Sequence, residues 1–389
     1  VADEDNAPAT TSALGRWRER IDAPGKLAID PRFTFGPALL ARAPLPEYVF
    51  VDTRTMKILS AMSDPDPESL AWRLEAELAD LDAAPRPPPV TPRLFDDHFT
   101  ENEIDLVRGM KLVPEPPPDP TNEYGDRSAA AALGKELFLH PLLSPAKISC
   151  GSCHDPARDL TDGVPQSVGV ARVDRNSPAI GLAAHSRWQF WDGRADTLWA
   201  QALGPPEDPR ELGSSRLHVA HQIAERYAAA YGAVFGDRYP LSAAEVALWP
   251  RSGKPGDPPY DALPAADKEK VTRIYVNVGK AIAAFERALR VKPNALDRYA
   301  GGELSALTKE QKHGLMLFFE AGCAQCHWGP RLTDDAFHVV RFGTGRVDGA
   351  ADPGREVGLA RLAASEFAAS SRWSDAPLAA KPFTLEAPM

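Results

Sequence analysis

The stretch Cys150-Gly151-Ser152-Cys153-His154 decides how this chain folds, and Cys323-Ala324-Gln325-Cys326-His327 repeats its pattern. These two stretches, the first and second motifs, contain all 4 cysteines of the 389-residue chain. A Cys-x-x-Cys-His pattern is the attachment signature of c-type haem. Two thiols three positions apart on a helical turn can bond to the two vinyl groups of one porphyrin, and the adjacent imidazole can bind its iron. The sequence therefore predicts two covalently bound c-type haems.

Three other uses of paired cysteines compete with this interpretation: a disulfide, a redox dithiol and a zinc site. Zinc ribbons place their Cys-x-x-Cys pairs roughly 15–20 residues apart, whereas the two motifs begin at positions 150 and 323. A thioredoxin-type redox dithiol does not require the histidine that follows each pair. Because c-type haem is attached outside the bacterial cytoplasm, the motifs also predict a periplasmic location.

Composition argues against several other classes of protein. The chain has 43% hydrophobic residues and a net charge of −10, from 44 basic and 54 acidic side chains. This apolar content supports two or three domains with cores of their own, and the negative charge argues against a nucleic-acid binder. The sequence contains no run of 18 apolar residues that could span a membrane. The acidic start at Val1–Asp5 lacks the apolar segment of a signal peptide, so we expect a mature form if the protein is exported.

Periodicity and proline content divide the chain into parts and predict a mainly α fold. Helical spacing of apolar residues is clearest at Thr272–Arg290, and Thr308–Gln311 has the pattern of a capping box that opens a helix through Phe319. Prolines concentrate in the connections. The predicted parts are an α/β extension at 1–84, a proline-rich linker at 85–121, a domain around the first haem at 122–265 and a domain around the second haem at 266–389.

The extension contains two candidate strands, Tyr48–Asp52 and Met56–Leu59. A candidate amphipathic helix follows at Glu68–Leu81, with leucines at helical spacing. A hairpin followed by a terminal helix weakly resembles the second half of a thioredoxin fold. Since no Cys-x-x-Cys lies in this part, we interpret it as a structural or docking extension.

Several stretches between about residues 130 and 345 together resemble the bacterial dihaem cytochrome c peroxidase/MauG superfamily. They are Leu133–Phe138, Arg175–Pro178, Phe190–Arg194, Gln201–Pro205, Ala284–Arg287, Cys323–His327 with Gly329–Pro330, and Phe337–His338. The resemblance implies two c-type cytochrome domains, each around one haem. It also implies that hydrogen peroxide reacts at the N-terminal haem, bound by His154, and that electrons pass through the C-terminal haem, bound by His327.

The resemblance extends to further residues of the implied site. Trp191 matches the tryptophan that lies between the two haems of the family. Gln201 and Glu211 match its distal-pocket pair, above the open face of the first haem. Asn176 matches a residue at a calcium site between the domains, so the implied cofactors are two haems and one calcium ion.

Elementary chemistry supports the first three of these roles. Cleaving the O–O bond requires a proton to move between the two oxygens, and a carboxylate such as Glu211 can carry it. Gln201 offers a donor and an acceptor that can orient the peroxide, and the Trp191 indole can relay electrons between two macrocycles. Each residue also has a plainer interpretation, since tryptophans often fill cores and an Asp-Pro-Arg-Glu loop is usually solvated.

Two features depart from the family pattern. Many family peroxidases place an iron-binding histidine sixteen residues after the first proximal histidine, where this chain has Val170. Because valine cannot bind iron, we predict a first haem that is five-coordinate or only water-ligated at rest. The chain also lacks the longer family tail with a Thr-Pro-Ser-Leu-Arg-like stretch and the sixth ligand of the second haem. We expect an incomplete sequence, a cut product or a completing second chain, with His338 and Met389 as weak candidate ligands.

The leading functional hypothesis is an oxidoreductase that uses hydrogen peroxide. Its electron donor would be a small cytochrome c or a cupredoxin. The alternative is a MauG-like enzyme that oxidises tryptophan or tyrosine of a partner protein. A second alternative, a non-enzymatic dihaem electron carrier, needs neither Glu211 nor an open iron.

Overall fold

The computed structural model describes residues 47–52, 57–63, 69, 71–76, 94–96, 98–112, 115–338 and 352–377. Helices dominate these residues, and the one sheet among them pairs two strands. The mainly α fold class is therefore confirmed. The labelled helices are α1 (Glu101–Gly109), α2 (Ser128–Leu139), α3 (Cys150–Cys153), α4 (Leu198–Gln201), α5 (Gly204–Glu207), α6 (Arg216–Arg226), α7 (Ala228–Phe235), α8 (Ala243–Val246), α9 (Pro258–Asp261), α10 (Ala265–Arg287), α11 (Ala295–Ala300), α12 (Lys309–Glu320) and α13 (Gly354–Ala363).

The chain forms two compact units, each of which contains one motif. The first-motif unit comprises Leu112–Asn294 and the described residues from Asp335 to 377. The second-motif unit comprises the described residues up to Lys111 together with Ala295–Asp334. The boundary predicted between residues 265 and 266 differs from this division, because α10 packs along α2 in the first-motif unit.

The long helix α10 is the centre of the first-motif unit. Its apolar face, predicted from Ile274, Val278 and Ile282, is buried as expected, although the helix begins earlier than Thr272. Gly134 of α2 allows the close crossing, since a Cβ atom there would lie 1.8 Å from the Ala281 carbonyl oxygen. This contact fixes the position of α2, which leads directly to the first motif.

The segment 352–377 returns to the same core. Asp375 forms an ion pair of 2.7 Å with Lys280, whose side chain is completely buried in the middle of α10. The other Asp375 oxygen accepts a hydrogen bond of 2.9 Å from the Glu123 backbone N–H. Breaking a buried ion pair from one side leaves an uncompensated charge, so this pair ties the segment firmly to α10.

The second-motif unit includes a helix where the sequence predicted only linker. Thr100 and Glu103 cap α1 reciprocally, and Ile104 and Val107 are buried against Phe99 in a small core that also contains Tyr299. The high proline content of the surrounding chain masked this capping signal. Helix α12 has the predicted capping box, with the Gln311 backbone N–H bonded to the Thr308 hydroxyl, and it ends at Glu320, one residue beyond Phe319.

The described part of the extension agrees with the predicted elements. Strands β1 (Glu47–Asp52) and β2 (Lys57–Ser63) form an antiparallel pair with an irregularity at Phe50/Val51, and residues 69 and 71–76 are helical. Met56 lies outside the described residues, and the thioredoxin likeness stays a prediction. Within the described ranges, every helix is too short or too polar to cross a membrane.

Candidate functional site

The first motif forms a short helix whose histidine is held in one orientation. Helix α3 carries both thiols, and the Ser149 backbone N–H donates to the Ser152 hydroxyl (3.1 Å) at its start. The His154 Nδ1–H donates to the Leu160 carbonyl at 3.1 Å. Because that bond occupies Nδ1, Nε2 is the nitrogen left to bind a metal. Burial lowers the pKa of His154, which favours the neutral imidazole that metals bind.

A cavity adjoins the first motif. Its wall includes both cysteines and His154, and the Phe138 ring lies 6.2 Å from the imidazole, centroid to centroid. The same wall includes the two predicted distal residues, Gln201 and Glu211. The structure thus brings together five of the predicted site residues around one space.

Glu211 is held at this cavity by backbone contacts. Its carbonyl accepts a hydrogen bond of 2.9 Å from the Val170 N–H, and its own N–H donates to the Asp208 carbonyl at 3.2 Å. Gly169 makes the approach possible, because a Cβ atom there would lie 2.4 Å from the Glu211 carbonyl oxygen. The loop around Glu211 is therefore fixed rather than freely solvated.

The surroundings of Glu211 raise the pKa of its carboxyl group. Burial, reinforced by the nearby Asp208 carboxylate, raises the pKa of Glu211 above its usual value, and Arg194 and Arg210 only partly oppose the rise. A raised pKa suits a group that must both give and accept a proton near neutral pH. Gln201 stands at the end of α4, whose start is capped by the Thr197 hydroxyl.

The cavity wall contains a second carboxyl group, that of Glu286, for which the sequence predicted no role. Glu286 lies on α10, is 4% exposed, and its Oε2 has no hydrogen-bond partner among the described residues. Burial raises the pKa of Glu286 to about 8. Its position four residues after Ile282, on the buried face of the helix, is the sequence signal that could have revealed it.

The second motif repeats the local geometry of the first in its own unit. The His327 Nδ1–H donates to the Leu332 carbonyl at 3.0 Å, and the Phe318 ring lies 6.4 Å from the imidazole. Leu160 and Leu332, which provide the two carbonyls, both have left-handed backbone angles, with φ of 63° and 53°. This repetition at two sites of different sequence supports one shared ligand chemistry.

Trp191 does not fill a core. It is 64% exposed, whereas Trp199 is completely buried and bonds to the Thr121 hydroxyl at 2.9 Å. The Arg175 guanidinium carbon lies 4.7 Å from the centre of the Trp191 ring. The interpretation of Trp191 as core packing is therefore excluded, while a role in electron relay stays a prediction.

The remaining predicted residues lie apart from the cavity wall or outside the described chain. Asn176 is exposed, and only its neighbour Ser177 lines the cavity. The Val170 side chain faces Gly213. His338 belongs to the first-motif unit, and Met389 lies outside the described residues. The calcium site and the sixth ligand of the second haem thus stay predictions.

The residues around the cavity fit a covalently bound haem. All four cysteines are free thiols rather than disulfides. The cavity wall brings the two thiols and the oriented His154 imidazole together with apolar side chains such as Phe138 and Ile282. The unpaired carboxyl oxygen of Glu286 is the kind of buried polar atom that a bound group or an ordered water would satisfy.

Comparison with known proteins agrees with this fit. Residues 128–305 match the family model of di-haem cytochrome c peroxidase. The methylamine utilization protein MauG of Methylorubrum extorquens is 32% identical over 245 residues, which cover 61% of this chain and 59% of that protein. Cytochrome c551 peroxidase of Pseudomonas aeruginosa is 32% identical over 210 residues, which cover 53% of this chain and 52% of that protein.

Among solved structures, the diheme peroxidase BthA of Burkholderia thailandensis aligns with a TM-score of 0.48 and 23% identity, over 63% of this chain and 64% of that chain. The chain spans between half and three-fifths of the length of the two curated relatives. The match to the family model and the two curated relatives confirm the resemblance to this superfamily.

Proposed function

From the match of residues 128–305 to the family model of di-haem cytochrome c peroxidase, we propose that this protein is a dihaem oxidoreductase that reduces hydrogen peroxide at the first motif. The observation that carries the proposal is that Glu211 and Gln201 line the same cavity as the thiols and imidazole of the first motif. A non-enzymatic electron carrier requires no proton-transferring group at that place.

Cys150 and Cys153 would hold the first haem through thioether bonds, and His154 would bind its iron. When bound, the haem supplies an iron that can bind peroxide and exchange electrons with it. The Leu160 carbonyl keeps the imidazole oriented, because it accepts the Nδ1–H bond at 3.1 Å. Cys323, Cys326 and His327 would hold the second haem in the same way.

Glu211 would move the proton that peroxide cleavage requires. Reduction of one hydrogen peroxide consumes two electrons and two protons and yields two water molecules. The Glu211 carboxyl group would take a proton from one peroxide oxygen and give it to the other. Its raised pKa favours this exchange, and the Gln201 amide would orient the peroxide by hydrogen bonding.

Trp191 would pass electrons from the second haem toward the first, one at a time. Electrons would come from a small cytochrome c or a cupredoxin in the periplasm. The proposal also includes a calcium ion at Asn176, as the resemblance implies.

The alternative of a MauG-like enzyme that oxidises a partner protein rests on Val170. Valine at this position cannot block the open iron, and the relatives include a protein named for methylamine utilization. The peroxidase and the MauG-like enzyme would share the chemistry of the first haem. They would differ only in the source of the electrons. Peroxide turnover with a reduced small cytochrome favours the peroxidase, and oxidation of a partner's tryptophan or tyrosine favours the alternative.

The proposal is tested by replacing Glu211 with glutamine in the holoprotein. We expect steady-state peroxide reduction to fall by about 10²–10⁴-fold, while the haem content and absorption spectrum stay unchanged. Glu136→Gln, which neutralises an exposed carboxylate on α2, is the matched control and should keep full activity. Undiminished turnover in Glu211→Gln would contradict the assignment.

A further inference from the structure

The loop that carries Trp191 is surrounded by charged groups that the proposed function does not use. Arg175 lies over the indole ring, 4.7 Å from its centre. Asp192, the next residue in the sequence, is almost completely buried. A buried carboxylate and a stacked guanidinium at one position call for a physical explanation, because burying charge is costly unless it is paired.

Arg175 is fixed over the indole by two carboxylates. Its Nε and Nη2 donate to the two oxygens of Asp352 at 2.9 and 2.6 Å, and its Nη1 donates to Asp192 at 3.1 Å. Burial alone would lower the pKa of Arg175, but the two carboxylates raise it overall, so the guanidinium is always charged. A bidentate pair with a third bond leaves the guanidinium plane little freedom to move.

The loop itself is held by helix α13. The Arg355 guanidinium donates to the carbonyls of Asp192 and Gly193, at 3.0 and 2.6 Å. Gly358 packs directly on the loop, since a Cβ atom there would lie 2.0 Å from the Asp192 carbonyl oxygen. Carboxylates therefore hold Arg175, and helix α13 holds the loop of Trp191, so the distance between the two side chains is fixed from both sides.

A fixed positive charge on the face of an indole opposes the loss of an electron from that ring. The same charge attracts the neutral ring through its quadrupole, but this attraction turns into repulsion once the ring becomes a cation. Asp192 and Asp352 reduce this effect, and Asp192 is itself also paired with Arg194 at 2.9 Å. The oxidation potential of the ring thus depends on Arg175.

We propose that Arg175 is a positioning residue that raises the oxidation potential of Trp191 and thereby limits how long the oxidised indole persists. The inference rests on the proposed electron relay. One electron leaves the Trp191 indole for the peroxide-oxidised first haem, and one electron from the reduced second haem refills it. Arg175 gains and loses no electron, and its charge makes the intermediate indole cation less favourable.

The test uses holoprotein with the second haem reduced, mixed rapidly with one equivalent of hydrogen peroxide. Arg175→Gln removes the charge, Arg175→Lys keeps it, and Trp191→Phe removes the relay. Arg187→Gln is the matched control, because Arg187 stacks on Trp188 of the same loop at 5.5 Å and not on Trp191. The readouts are the rate of second-haem oxidation and the tryptophan radical signal in freeze-quench EPR with deuterated tryptophan.

We expect Arg175→Gln to speed second-haem oxidation by about tenfold, since a barrier lower by about 1.4 kcal/mol gives that factor, and to increase the radical signal. Arg187→Gln should resemble the wild type, and Arg175→Lys, which keeps the charge but not the bidentate pair, should lie closer to the wild type than Arg175→Gln does. If Arg175 merely supports the loop, Arg175→Gln and Arg175→Lys will both slow the electron transfer, and that result overturns the inference. An unchanged radical signal in Arg175→Gln overturns it as well. Full-speed transfer in Trp191→Phe refutes the relay itself, so the two failures are distinguishable.

Discussion

Replacing Glu286 with glutamine should make the protein more stable at neutral pH, and the gain should depend on pH. The carboxyl group is completely enclosed, its Oε2 has no partner among the described residues, and burial raises its pKa from the usual 4.5 to about 8. Between these two values the folded protein keeps a proton that the unfolded chain has lost. The free energy of unfolding therefore falls as the pH rises through this window.

The size of the effect follows from the width of the window. At pH 7 the unfolded chain is about 2.5 pH units above the usual pKa, which at about 1.4 kcal/mol per unit corresponds to about 3 kcal/mol. Above pH 8 the loss levels off at about 5 kcal/mol. Glutamine is neutral in both states, so Glu286→Gln should match the wild type near pH 4.5 and exceed it by about 3 kcal/mol at pH 7.

Denaturant unfolding of the holoprotein at several pH values measures this difference. Glu320→Gln, at the exposed end of α12, provides a control with the same change of side chain, and its unfolding free energy should run parallel to that of the wild type. If the unfolding free energies of Glu286→Gln and wild type also run parallel from pH 5 to pH 8, the Glu286 carboxyl does not have the raised pKa described above.

Two further predictions concern the packing that supports the cavity. Gly134→Ala should lower the free energy of unfolding by about 3 kcal/mol or more, because the added methyl meets a carbonyl of α10 at 1.8 Å, whereas Gly232→Ala in α7 has open space and should raise it by about 1 kcal/mol. Lys280→Met should cost about 3–5 kcal/mol, because it leaves Asp375 buried without its cation. Lys270→Met, at an exposed and solvent-screened pair, should leave the free energy of unfolding nearly unchanged. Thermal or denaturant unfolding measures all four; equal effects of the two glycine changes, or of the two lysine changes, would contradict the packing described.

The sequence predicted those features that depend on short-range patterns. The spacing within each motif identified the haem chemistry, and the apolar positions of α10 and the capping box at Thr308 predicted helices that the structure contains. Helix α1 was not predicted, although Thr100 and Glu103 form its capping box, because prolines on both sides give this part of the chain the composition of a linker.

Long-range contacts could not be predicted in this way. Nothing near Arg175 in the sequence indicates that Asp352, 177 positions later, binds its guanidinium. Likewise, the wall position of Glu286 depends on how α10 crosses α2 at Gly134. Charge pairs between distant segments arise only once the core has brought those segments together, and a single sequence contains no signal of that distance.

The central claim is that the first motif holds a haem whose open face meets Glu211 and has no protein ligand at position 170. An EPR spectrum of the resting, fully oxidised holoprotein tests this most directly, because spin state reports the axial ligands of each iron. We predict a high-spin ferric signal from the first haem beside the signal of the second. A spectrum with only low-spin, doubly ligated haem would contradict the account.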